Sequence, residues 1–138
     1  VDDRSEYRFI LPEDFKQNID LFFEWMLYAN NYYGTLKSDL EVAAPAIIVR
    51  DTQGAPKYVE QIQRAVSVFV RTPTTEALRS RMKKRGDTDN IVENRLKAVE
   101  QELEYSQKCN YIIVNDDFRI AYDDLKSIAR AETLKNEA

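Results

Sequence analysis

Residues 66–86 read VSVFVRTPTTEALRSRMKKRG. The run 66–70 is rich in β-branched residues and lacks a polar alternation, the pattern of a strand covered on both faces in a parallel sheet. Thr72-Pro73 then offers an N-cap and a first helical position, and the helical pattern runs to a stop at Gly86. Two more apolar runs begin similar units, AIIV at 46–49 and YIIV at 111–114. After the first, Gly54 leads into a helix with Pro56 in its first turn and Val59 and Ile62 on one face. After the other, Asn115-Asp116-Asp117 precedes a helix lined by Ala121, Leu125 and Ile128. A further amphipathic helix over 90–106 carries Val92, Leu96, Val99 and Leu103 at i, i+4, i+7 and i+11. The alternation of strand and helix predicts an α/β fold built on a parallel sheet.

Composition narrows the chemistry. A formal net charge of −4 argues against a surface that coats nucleic acid, whose affinity needs an excess of Lys and Arg, so any phosphate site is local. The apolar runs are far too short to cross a bilayer. There is no histidine, which removes histidine metal sites and Ser-His or Cys-His nucleophile pairs, and the single Cys109 forms neither an intrachain disulfide nor a thiolate cluster. What remains is Arg, Lys, Tyr, Thr, Asn and carboxylates, the inventory of sites that position phosphates. A cytoplasmic setting is expected, with no nucleic-acid or membrane partner.

The first 45 residues do not continue the strand–helix alternation and predict a smaller lobe. Their centre, FFEWMLYANNYYGT at 22–35, holds Glu24 and Thr35. A guanine ring offers two adjacent donors and one acceptor along one edge. A carboxylate suits the donors and a hydroxyl suits the acceptor, so Glu24 and Thr35 together could read that edge. Adenine would set an acceptor against the carboxylate, and an unpaired buried polar group costs roughly 1–3 kcal/mol. Tyr33 and Tyr7 could point phenols at a phosphate, with Gly34 allowing a tight turn between the two contacts. The alternative is that Phe22, Phe23, Trp25, Tyr32 and Tyr33 are core aromatics and Glu24 is solvated.

In order along the chain stand Glu24-Trp25, Asn31-Tyr32-Tyr33-Gly34-Thr35, Asp51-Thr52-Gln53-Gly54-Ala55, Arg85-Gly86, Arg95-Leu96 and Asn115-Asp116-Asp117. Together these resemble guanylate kinase, above all the bacterial enzymes, over nearly the whole chain. The resemblance implies a nucleoside-monophosphate-kinase-like sheet core of the P-loop class, with a GMP-binding lobe over 1–45, core segments over 46–77 and 99–138 and a helical lid over 78–98, all in one structural domain. It implies transfer of the ATP γ-phosphate to GMP, with Mg2+ accompanying ATP, and leaves room for a homodimer. Carried over by position, Tyr7, Glu24, Tyr33, Thr35 and Asp51 are expected at GMP. Arg81, Arg85 and Arg95 are expected to act on the transferring phosphates, and Arg85 and Asn115 to face ATP. Residues alone also permit plainer readings: a solvated basic face paired with Asp87 and Asp89, a helix-capping Asp51, and N-capping by 115–117.

Some features depart from that pattern. No G-x-x-x-x-G-K-[ST] occurs, so the strand and phosphate-cradling loop that open the family's fold are not in this sequence, and the chain alone is expected to be inactive. Val49 stands where the family carries an Asp, and Asn30 where a Gly usually precedes Asn-Tyr-Tyr. These absences bring in a rival expectation, a non-catalytic guanylate-kinase-like module that binds GMP or a phosphorylated ligand or peptide.

Overall fold

The structure, a computed structural model, describes residues 7–28, 30–41 and 45–136. The chain divides into two compact units, Val1–Ile48 and Val49–Ala138.

In the first unit, helix α1 (Pro12–Gln17) begins on a proline whose missing N–H is no loss at that position. A single 3-10 turn, Ile19–Leu21, leads into an antiparallel hairpin of β1 (Phe22–Tyr28) and β2 (Asn31–Leu36), followed by the one-turn helix α2 (Lys37–Leu40). The register sets Glu24 opposite Thr35, Trp25 opposite Gly34, Met26 opposite Tyr33 and Leu27 opposite Tyr32. Phe22 pairs with Leu36, so Phe23 is the extra residue of a bulge. That extra residue has a packing consequence. It lets Phe22 and Trp25, three apart, turn to the same side while Glu24 between them faces the other. On their side sits Phe15 of α1, buried, with ring centroids 4.4 Å from Phe22, 4.9 Å from Tyr32 and 6.2 Å from Trp25.

Gly34 does not make the tight turn expected of it. It lies inside β2, and its need for glycine is steric: a Cβ would stand 2.5 Å from Phe22 Cδ1 and 3.0 Å from the Glu24 carbonyl oxygen. The reversal of direction falls instead beside Asn30, at φ 62°. Asparagine is among the few non-glycine residues that visit this left-handed region readily, so it replaces glycine there at modest strain.

The second unit contains α3 (Ala55–Gln61), β3 (Val68–Arg71), α4 (Thr75–Arg85), α5 (Asp89–Ser106), β4 (Tyr111–Val114) and α6 (Phe118–Leu134). β3 and β4 pair in parallel from Val68–Tyr111 to Arg71–Val114, the α/β core expected from the sequence. A polar clasp opens the ladder: Ser67 N–H and Oγ both donate to Asn110 Oδ1, and Asn110 N–H donates to Ser67 Oγ. Val92 on α5 is fully buried, with Met82, Ile113 and Ala121 also in the core.

Three expectations are corrected here. The AIIV run is not a strand: residues 46–49 join no ladder among the described residues, and Val49 is 87% exposed. β-branched composition favours extended backbone, but a strand needs a partner for its N–H and C=O groups, and this run finds none there. Nor are β3 and β4 covered on both faces. Ile113 is buried, whereas Val70, Ile112 and Val114 are exposed. Thirdly, α4 starts two residues later than Thr72-Pro73 suggested. Thr74 is the N-cap, its Oγ1 accepting from Ala77 N–H at 3.0 Å. Pro73 fixes the approach and Thr72 donates to the Thr74 carbonyl. On α3, likewise, Tyr58 is the buried residue, while Val59 is exposed and Ile62 lies past the helix end.

Gly86 ends α4 as expected, at φ 96°, with Gly86 N–H bonded to Lys83 O and Asp87 N–H to Met82 O. Thr88 then caps α5 through Ile91 N–H. The two helices are laced by ion pairs, Arg79 with Glu93 and Lys83 with Asp89.

Candidate functional site

Directly opposed residues of an antiparallel pair project to one face, and faces alternate along each strand. The hairpin register therefore gathers Glu24, Met26, Tyr33 and Thr35 on one face. Trp25, Leu27, Tyr32 and Gly34 take the other, against Phe15. Tyr7 joins the first face, its ring edge-on to Tyr33 at 6.3 Å and 78°. All four lobe residues singled out in the sequence thus lie on the hairpin face away from Phe15. Glu24, Tyr33 and Thr35 are half-buried and Tyr7 is exposed. The plainer reading holds in part: Phe15 is buried with Phe22 and Tyr32 half-buried against it, but Trp25 is 44% exposed, and Tyr33 is half-buried on the other face.

Arg8, next to Tyr7, is ion-paired with Asp39 of α2 across 31 residues of sequence. This tie brings the segment before α1 back beside the hairpin. Nothing in the local pattern announces it, because its two ends are distant in sequence.

In the second unit, Asp51 caps the start of α3: its Oδ1 accepts from Gly54 N–H at 2.8 Å and its carbonyl from Ala55 N–H at 3.0 Å. Arg81 and Arg85 lie on α4 and Arg95 on α5, and each guanidinium has a different partner. Arg85 grips Asp87 just past the Gly86 stop, a contact that raises its already high pKa through the hydrogen bond and the charge. Arg95 pairs with Glu102 two turns along α5. Arg81 meets no carboxylate among the described residues. Its Nη1 donates to Asn115 O at 2.8 Å and Nη2 to Asp116 O at 3.4 Å. Asp117 caps α6 by accepting from Ile120 N–H. In the basic stretch Arg79, Lys83 and Arg85 are ion-paired, as the plainer reading held for Arg85 and Lys83, while Arg81 is held by backbone carbonyls instead.

A shallow open depression beside α5, lined by Glu100, Leu103, Glu104 and Gln107, is too acidic to receive a phosphate. Among the described residues no three acidic or Cys side chains group to hold a metal ion. No helix there is long and apolar enough to cross a membrane.

The guanylate kinase family model matches residues 2–132. The chain is 36% identical over 137 residues to the guanylate kinase of Caldanaerobacter subterraneus subsp. tengcongensis, covering 94% of this chain and 66% of that protein. It is 34% identical over 143 residues to the guanylate kinase of Vibrio parahaemolyticus, covering 99% and 69%. The crystal structure of guanylate kinase from Anaplasma phagocytophilum superposes with a TM-score of 0.76 at 28% identity, over 99% of this chain and 70% of that one. The chain thus spans about two thirds of the length of the curated relatives it matches.

Proposed function

The chain belongs to the guanylate kinase family, and on that footing we propose that the natural protein transfers the γ-phosphate of ATP to GMP, giving GDP and ADP. The observation that carries the reading is the Glu24–Thr35 pair, directly opposed on the hairpin face away from Phe15. A carboxylate and a hydroxyl side by side match the donor pair and the acceptor of a guanine edge. On the same face, Tyr33 and Tyr7 supply two phenol O–H donors for the GMP phosphate. Asp51 is assigned to the bound nucleotide in addition to its capping of α3.

Phosphoryl transfer asks the protein mainly for alignment and for fixed positive charge around the phosphates. Arg85 and Arg95 are assigned that charge. Each guanidinium is itself exposed and holds a half-buried carboxylate of its own segment, so a phosphate would have to compete with that ion pair for it. Fixed cations of this kind hold the phosphates in line and, where they displace solvent, exclude water as a competing acceptor. Asn115 faces the base of ATP. Magnesium enters as part of the donor, Mg-ATP, where it neutralises phosphate charge; no step is routed through a protein metal site. A cytoplasmic setting belongs to the same proposal, since the substrates are soluble nucleotides.

The test uses the natural protein. GMP should raise its melting temperature and AMP should not, GDP and ADP should form in equal amounts from GMP and ATP, and Glu24→Ala should erase the preference for GMP. Equal protection by AMP and GMP would remove the reading. GMP binding without turnover would put the non-catalytic module in its place.

A further inference from the structure

We propose that Arg81 is a positioning residue: it clamps the loop between β4 and α6 through two consecutive carbonyls and so presents the Asn115 carboxamide to the base of the phosphate donor. The inference rests on the kinase reading above and differs from the expectation that Arg81 acts on the transferring phosphates.

The other partnered cations of α4 all meet acids: Arg79 pairs with Glu76 and Glu93, Lys83 with Asp89 and Arg85 with Asp87. Arg81 instead spends Nη1 on Asn115 O and Nη2 on Asp116 O. Only a planar fork spans two successive peptide carbonyls in this way; a lysine ammonium is a point donor. The same loop is held from two other directions. Asn115 N–H donates to Arg71 O at 2.7 Å, extending the β3–β4 ladder by one bond, and the Asp117 carboxylate accepts from Ile120 N–H at 3.1 Å. The Asn115 peptide is therefore fixed by β3 on its N–H side and by α4 on its C=O side. Among the described residues its carboxamide has no hydrogen-bond partner, and it is half-buried. A donor–acceptor side chain on an immobilised peptide is pre-organised for a planar ligand edge, because little ordering is left to be done on binding. Swinging Arg81 away to a phosphate would strand two backbone carbonyls.

The experiment measures initial rates for the natural protein, R81K and R81A, with ATP and GTP as donors at saturating GMP, and amide hydrogen exchange over 111–118 without nucleotide. For both variants KM for ATP should rise about tenfold with kcat within about threefold, the preference for ATP over GTP should weaken in proportion, and exchange should quicken. In an Asn115→Ala background, R81K should add less than about twofold to KM, since the clamp acts through that side chain. A further tenfold there, or a kcat loss of a hundredfold with KM unmoved, would overturn the proposal. So would unchanged exchange, whether or not the protein turns over. Quicker exchange in variants of a protein that makes no GDP would support the clamp while removing the kinase reading. If R81A does not fold, R81K and N115A carry the same comparisons.

Discussion

Gly34→Ala adds one methyl group at the place where the hairpin has no room for it. The new Cβ would stand 2.5 Å from Phe22 Cδ1 and 3.0 Å from Phe22 Cε1. Carbon atoms rest about 3.5–4.0 Å apart, so the ring must withdraw by roughly 1 Å. Phe22 is not free to withdraw, because Phe15 is packed against it at 4.4 Å between centroids. The third close atom, the Glu24 carbonyl oxygen at 3.0 Å, is backbone and part of the bulge. Overpacking of this kind costs about 1–3 kcal/mol, and replacing glycine lowers the entropy of the unfolded chain by an amount worth about 0.4–1 kcal/mol. The net expectation is a loss of about 1–2 kcal/mol. Trp25, the single tryptophan, sits directly opposite Gly34, so urea unfolding followed by its fluorescence reads the hairpin itself. Relief should be specific. Phe22→Leu trims the ring, and its cost in the G34A background should fall below its cost in the parent by about 1 kcal/mol. Because the strained carbonyl belongs to Glu24, KM for GMP should also rise, by about tenfold for a displacement near 1 Å. A G34A protein as stable as its parent within about 0.5 kcal/mol, or strictly additive costs for the two substitutions, would refute the packing argument.

The remaining expectations are local. Thr74→Ala should destabilise by about 1 kcal/mol through loss of the α4 cap, and Thr72→Ala by only a few tenths, as measured by paired thermal melts. Asn30→Gly should be neutral or stabilising by up to about 1 kcal/mol, and Asn30→Val destabilising by about 1–2 kcal/mol, because φ is 62° there. Tyr111 donates its phenol proton to Glu132, which holds its pKa above the ordinary phenol range, chiefly through that hydrogen bond. The folded state then keeps the proton more tightly than the unfolded one. The contribution is complete below about pH 10 and is lost as pH rises through the folded pKa. Tyr111→Phe should flatten that part of the alkaline decline in urea stability, while leaving the slope below pH 9 unaltered.

What the sequence disclosed follows the range of the interactions involved. Helices α4, α5 and α6 were legible because their signals are local: periodic apolar positions, Gly86 at a left-handed stop, and hydroxyl or carboxylate caps three residues before the N–H they accept. The choice of Thr74 over Thr72 was not, since both precede the same helix and only the backbone path decides which oxygen reaches an N–H. The AIIV run misled for a similar reason. Its composition matches that of VFVR and YIIV, but β3 and β4 are strands because each bonds to the other, with Ser67 and Asn110 setting their register from 43 residues apart.

The candidate site divides along the same line. Glu24 and Thr35 are eleven residues apart, and the chain reversal beside Asn30 with one bulge converts that spacing into direct opposition; moving the bulged residue elsewhere would shift the pairing by one and send Glu24 toward Phe15. The arrangement thus depends on Phe23 being surplus, on Asn30 accepting a left-handed backbone, and on Gly34 having no side chain. None of the three would touch a ligand, yet together they decide which face carries the carboxylate. For the arginines the limit is different. Charge and helical spacing identify Arg81, Arg85 and Arg95 as candidates alike, but they cannot say that Arg85 and Arg95 are engaged by acids while Arg81 is engaged by peptide carbonyls of a loop more than thirty residues away. That difference in partner separates cations paired with acids of their own segment from one that ties its helix to a distant loop.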